Sequence, residues 1–165
     1  MGALQHTPAS RSANPTLAIQ DYYPEPYRHC YGCGPDNKDG WHIKSYWDGE
    51  SIVAYFSPAD YLTGGVPDNL FGGVLAAVSD CHGTASAAAF SHHAVGYTLG
   101  VEPLLRCVTG QLTVNFRKPT PMGRQLAIRA RLVGIEGRKV TVDMEISCEG
   151  DVTCTATMLA IRLKE

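Results

Sequence analysis

Residues 71–90 read FGGVLAAVSDCHGTASAAAF, with six alanines, three glycines and one charged residue, Asp80. Val74, Val78, Cys81, Ala85 and Ala88 recur at helical spacing, so the stretch is expected to form a helix. No face of it is polar enough to lie in water. A helix without a solvated face is normally buried, and here the side chains are small enough for other backbones to approach closely. Other segments of the chain must therefore wrap it.

The flanking segments have the right pattern. On the C-terminal side, Cys107–Phe116 alternates, with Val108, Gly110, Leu112, Val114 and Phe116 on one parity, and PTPMG at 119–123 makes a turn. Gln125–Ile135 alternates less cleanly. Val140, Val142, Met144, Ile146 and Cys148 then oppose Thr141, Asp143, Glu145 and Ser147 with a strict period of two, and Val152–Leu163 supplies a last strand. The turns are EGR at 136–138 and EGD at 149–151. On the N-terminal side, WHIKSYWDGESIVAYF at 41–56 reads as a hairpin about Asp48-Gly49. Ahead of it, HCYGCGPDNKDG at 29–40 is dense in turn residues. Two strands, a buried helix and four strands imply an α+β fold, a curved antiparallel sheet around a central helix. The edges of such a sheet are covered most simply by a second copy, so a homodimer or a dimer of dimers is expected.

The chain has 165 residues, 44% of them hydrophobic and 18% charged, which suits a single compact domain. Residues 1–20, MGALQHTPASRSANPTLAIQ, read as a flexible N-terminal arm, leaving 21–165 as the domain. With 14 Lys and Arg against 16 Asp and Glu, the net charge is -2, which argues against a nucleic-acid partner. No run approaches the ~18 apolar residues of a membrane helix. No secretory signal is apparent, so six cysteines point to reduced thiols and a cytoplasmic setting, with Cys81, Cys107, Cys148 and Cys154 acting as small hydrophobes.

Asn69 is a good N-cap, which would put Leu70, Phe71 and Gly72 in the first helical turn, where N–H groups lack intrahelical acceptors. The Gly72 N–H can then receive negative charge that develops on a substrate oxygen, or the Gly72-Gly73 pair simply packs against a strand. Asp80, alone as a charge in an apolar helix, serves as a general base toward water, as a nucleophile, or as a structural carboxylate, either paired with an arginine or lying on an exposed helix face. Thr84, one turn on, can hydrogen-bond the carboxylate or the water. Eight residues of helix place Gly72 and Asp80 about 12 Å apart. Two antiparallel helices across a twofold axis bring Gly72 of one chain opposite Asp80 of the other.

Three segments, CYGCGPDNKDGWHIK, NLFGGVLAAVSDCHGT and TGQLTVNFRKPTPMGRQL, resemble the hot-dog fold thioesterase superfamily, typified by 4-hydroxybenzoyl-CoA and phenylacetyl-CoA thioesterases. The resemblance spans roughly residues 30–163. It implies hydrolysis of an acyl-CoA, or acyl carrier protein, thioester at a dimer interface, with no cofactor. In the family the helix opens His-Gly-Gly, carries a carboxylate nine residues after the His, and often has Thr or Ser four residues later. Phe71-Gly72-Gly73, Asp80 and Thr84 occupy those positions, so Phe71 replaces the usual His. Asp80, Gly72 and Thr84 are thus the expected catalytic residues, and Asn69, Phe71 and Gly73 are expected to line the substrate site. Arg117-Lys118 stands where such proteins often present cations to coenzyme A phosphates, although a solvated strand end is the plainer reading, and Arg124, Arg138 and Lys139 are also available. A module that binds acyl-CoA without cleaving it is the alternative function.

Cys30 and Cys33 make one C-x-x-C, with His29 and His42 nearby. A zinc knuckle or a redox pair fits that spacing, but no second ligand pair follows, so the expectation is a turn without metal.

Overall fold

The computed structural model describes residues 17–164. The helix is present as α1 (Gly72–Ala94). Six strands, β1 (Ser45–Trp47), β2 (Ile52–Phe56), β3 (Cys107–Phe116), β4 (Leu126–Glu136), β5 (Lys139–Cys148) and β6 (Asp151–Arg162), form one sheet in the order β1-β2-β4-β5-β6-β3. Every neighbouring pair is antiparallel, and α1 packs on the concave side, which is the α+β architecture expected. No described helix is long and apolar enough to cross a membrane.

The period-two pattern of β5 does what its sequence dictates. Val140, Val142, Met144 and Ile146 are all buried under α1, and their opposite numbers Asp143 and Glu145 face out. Across the ladder Val142 stands beside Met158, Met144 beside Ala156 and Ile146 beside Cys154, so one inward row continues from strand to strand. α1 settles on that row at Gly83, where a Cβ would lie 2.7 Å from the Met158 methyl and 2.9 Å from the Met144 methyl. His82 is wholly buried next to it. Its Nε2–H donates to the Ile52 carbonyl at 3.1 Å and its Nδ1 accepts from the Ser45 hydroxyl at 2.9 Å. Burial lowers its pKa to about 4, so the ring is a neutral structural link between helix and hairpin.

Two expectations are revised. Ala18, Ile19 and Gln20, assigned to the arm, are buried: Ile19 begins a short 3-10 turn, and the Gln20 carboxamide bonds Ser45 through both its nitrogen (2.9 Å) and its oxygen (2.8 Å). Residues 1–16 of the arm lie outside the described residues. Strand β3 has the expected bounds but no buried parity. It is the outer strand beside β6, its register shifts at a bulge between Thr109 and Gln111, and Leu112 and Val114 are only half-buried.

One stripe of α1 stays partly open. Gly72, Gly73, Ala76, Ala77, Asp80 and Thr84 are the half-buried positions of its first thirteen residues, and their spacing puts them on a single face.

Candidate active site

The chain enters α1 along an extended path. The Leu70 N–H donates to the Thr120 carbonyl (2.8 Å), the Phe71 N–H to the Leu62 carbonyl (3.0 Å), and Asn69 forms a bridge with Pro121. The turn after β3 therefore holds residues 69–71 out of the helix. Phe71, at φ -58° and ψ 122°, is the residue before the first helical one, and no side chain caps it. Asn69 is not the N-cap that its residue type suggests, and Gly72, not Leu70, opens the helix.

That shift improves the geometry for Gly72. At the first helical position its N–H has no intrahelical acceptor and lies at the positive end of the helix dipole. Both glycines lie under aromatic rings rather than strand backbone. A Cβ on Gly72 would come 3.2 Å from the Phe116 ring, and one on Gly73 would come 2.4 Å from the Phe71 ring. The two rings are more than half exposed, at 55% for Phe71 and 59% for Phe116, so the helix start carries an open apolar rim.

Asp80 lies two turns further along the open stripe. Among the described residues no Lys or Arg pairs with its carboxylate, which removes the structural ion pair as its explanation. The Thr109 hydroxyl, on β3, donates to Asp80 Oδ1. Thr84 has a different role from the expected one: its hydroxyl donates to the main-chain carbonyls of Asp80 (3.0 Å) and Cys81 (3.2 Å), not to the carboxylate. Thr109 escapes sequence reading because it becomes a partner of Asp80 only once β3 is laid beside α1. Within one chain Gly72 and Asp80 remain about 12 Å apart along the helix axis.

Past the end of β3, the Arg117 and Lys118 N–H groups both donate to the Thr153 carbonyl, at 2.9 and 3.2 Å. Lys118 Nζ is 3.4 Å from Asp151 and Arg124 Nε is 2.9 Å from Glu149. Arg138 reaches the Arg162 carbonyl at 3.2 Å. Arg117 has no carboxylate partner among the described residues and touches only the Thr155 hydroxyl at 3.4 Å. It follows Phe116 in the chain and, by its contact with Thr155, lies on the outward face of the sheet.

Cys30 and Cys33 are joined by a third cysteine. Cys81, the residue after Asp80, puts its Sγ 3.8 Å from that of Cys30, and the three sulfurs lie within 4.8 Å of one another. Cys33 and Cys81 are buried and Cys30 is exposed. Hydrogen bonding among the three sulfurs holds the Cys30 thiol below the usual range and pushes that of Cys33 up to about 12.

The Thioesterase superfamily sequence profile matches residues 68–155, the span from the loop before α1 into β6. No curated protein matches the chain. Among solved structures, a Thioesterase superfamily protein from Shewanella loihica is 31% identical, with 84% of this chain and 97% of that one covered at a TM-score of 0.64. The Escherichia coli PaaI protein of the phenylacetic acid degradation operon has a TM-score of 0.61 at 16% identity, over 75% of this chain and 81% of that one. A Streptococcus pneumoniae hypothetical thioesterase solved with coenzyme A has a TM-score of 0.56 at 20% identity, over 70% and 80% of the two chains. The last two likenesses concern the fold alone. The profile match, the Shewanella relative and a helix wrapped by its sheet agree: the chain belongs to the thioesterase superfamily, with the hot-dog fold and thioester hydrolysis as its class of activity.

Proposed function

We propose that the protein hydrolyses an acyl-CoA thioester at a site made by two copies of the chain, with the α1 stripes facing one another antiparallel. The thioester carbonyl oxygen accepts a hydrogen bond from the Gly72 N–H of one chain, where the helix dipole favours the charge that builds on it. Asp80 of the other chain acts on the carbonyl carbon. Either it takes a proton from the attacking water, or its own oxygen attacks and water then cleaves the resulting anhydride. The C–S bond breaks in both routes, and the departing thiolate takes up a proton. Thr109 orients the Asp80 carboxylate, and Thr84 fixes the helical turn that carries it. Arg117 meets a phosphate of the nucleotide, Lys118 being engaged with Asp151. Asn69 acts through the entry loop, Gly73 by letting the Phe71 ring lie close, and the Phe71 and Phe116 rings contact the acyl or pantetheine chain.

One observation carries this reading: a carboxylate without an ion-pair partner among the described residues, on an open stripe of small residues next to the open edge strand β3. The coenzyme A found with the Streptococcus pneumoniae relative supports coenzyme A over acyl carrier protein as the carrier. All six cysteines are free, in keeping with a reducing, cytoplasmic setting. Assembly as a homodimer, alone or paired into a tetramer, belongs to the same proposal.

Phe71 favours a second reading. An apolar ring stands at the helix start where family members usually have a His, so a module that binds acyl-CoA without cleaving it is the competitor. Thiol release measured across short, medium, long and aryl acyl-CoAs separates the two. Turnover of any member that depends on Asp80 supports the enzyme. Binding of acyl-CoA with no turnover across the panel supports the module.

A further inference from the structure

The sulfur cluster lies outside the proposed chemistry, and its construction points to a purpose of its own. We propose that Cys30, Cys33 and Cys81 bind a zinc ion that ties the turn-rich loop at 28–43 to α1. The expectation of a metal-free loop rested on the lack of a second ligand pair in sequence, and the fold supplies the missing ligand from 48 residues downstream of Cys33.

Geometry comes first. Zinc–sulfur bonds of about 2.3 Å set tetrahedral ligands about 3.8 Å apart. The Cys30–Cys81 separation is 3.8 Å, and the widest separation in the cluster is within 4.8 Å. Neutral thiols can pack at such distances too, so the surroundings decide.

Two features of those surroundings suit a cation held by thiolates. The loop is shaped around the third sulfur: a Cβ on Gly32 would lie 2.3 Å from Cys81 Sγ, so only glycine lets Cys81 enter. Backbone bonds fix this shape, from the Gly34 N–H to the Cys30 carbonyl (2.8 Å) and from the Ile43 N–H to the Gly32 carbonyl (2.9 Å). The second feature is charge. Three thiolates and one divalent cation leave a net charge of about -1. Arg106 is available to offset it. Its guanidinium lies 3.8 Å over the Tyr23 ring, its Nε and Nη1 are buried without a hydrogen-bond partner, and among the described residues it pairs with no carboxylate. The fourth coordination position falls to water or another small ligand on the side of Cys30, the exposed member.

The test is metal content and cobalt spectroscopy on the reduced full chain. About one zinc per chain should survive dialysis. Added Co2+ should give thiolate-to-metal charge-transfer bands with tetrahedral d–d absorption, and zinc should abolish them. Cys81→Ser and Cys30→Ser should each weaken Co2+ binding by more than the ~10–100-fold typical of losing an outer-shell partner. Cys148→Ser should leave binding unchanged. Cys30 is exposed, so its variant keeps the core intact and tests the site even if Cys81→Ser does not fold. Three results overturn the proposal. The first is no retained zinc with no charge-transfer band, and the second is a folded Cys81→Ser protein with the wild-type cobalt spectrum. The third is a Cys30 disulfide whose reduction fails to restore metal uptake.

Discussion

On the sheet side of α1, Val74, Val78 and Ala85 are fully buried and Gly83 rests on the methyl ends of Met144 and Met158. On the other stripe, Gly72, Ala76, Ala77 and Asp80 are small or polar but half open, and the edge strand β3 runs beside them. The same residue types thus meet two different environments. Where the sheet has already closed on the helix, small residues set how near it lies. Where none of the described residues covers them, they leave room for a second helix, and the carboxylate in that gap is held by the Thr109 hydroxyl, with no cation paired to it among the described residues.

Changes on the open stripe should abolish chemistry while sparing the fold. Asp80→Asn keeps the shape and removes the base or nucleophile, so kcat should fall by about 10²–10⁴-fold with acyl-CoA binding kept within a few-fold. Steady-state kinetics beside calorimetric binding read both quantities. Gly72→Pro removes the proposed oxyanion donor itself, at the helical position where proline is best tolerated. Phe71 already has the extended ψ of 122° that a following proline requires, and a Cβ at position 72 would meet the Phe116 ring at 3.2 Å. The expected loss is about 10²–10³-fold in kcat, with an unchanged circular dichroism spectrum.

Changes on the sheet side should do the reverse. Gly83→Val drives a branched side chain into Met144 and Met158 and should cost about 1–3 kcal/mol in denaturant unfolding. Ala77→Glu, on the open stripe, should leave the stability of a single chain within about 0.5 kcal/mol but shift the sedimenting species from dimer to monomer. A dimer that withstands Ala77→Glu would mean that the stripes do not face one another. The smallest effect is assigned to Phe71→His, which restores a polar group at the helix start. One added hydrogen bond is worth about 0.5–1.5 kcal/mol, or roughly a 2–10-fold gain in kcat.

The same contrast explains what the sequence discloses. Strand β5 and the sheet side of α1 are legible because burial repeats with the period of the element, as in Val140, Val142, Met144 and Ile146. Asp80 and Gly72 are legible because each breaks the local pattern, one by charge and one by lacking a side chain. Asn69 misleads because capping preference is local, whereas the bridge to Pro121 and the Leu70–Thr120 bond are set by a turn some fifty residues away. Thr109 and Cys81 gain their meaning from neighbours remote in sequence, the carboxylate of Asp80 and the sulfur of Cys30. Thr109 carries no periodic signal, and the helical spacing that includes Cys81 marks it only as part of a buried face. Ala18–Gln20 look like a continuation of the polar arm because Gln20 is buried by its bonds to Ser45, which no hydropathy pattern records.

The shared site is tested most directly by mixing two inactive chains. Asp80→Asn and Gly72→Pro, separately tagged and co-expressed, should form mixed dimers in which Gly72 of the first chain faces Asp80 of the second. One of the two sites in each mixed dimer is then intact. Random pairing gives about half mixed dimers, so thioester hydrolysis should recover to about one quarter of the wild-type rate per chain, and tandem purification of the mixed species should raise it to about one half. Mixed dimers as inactive as either parent would contradict the account, because a site complete within one chain cannot be rebuilt from these two variants.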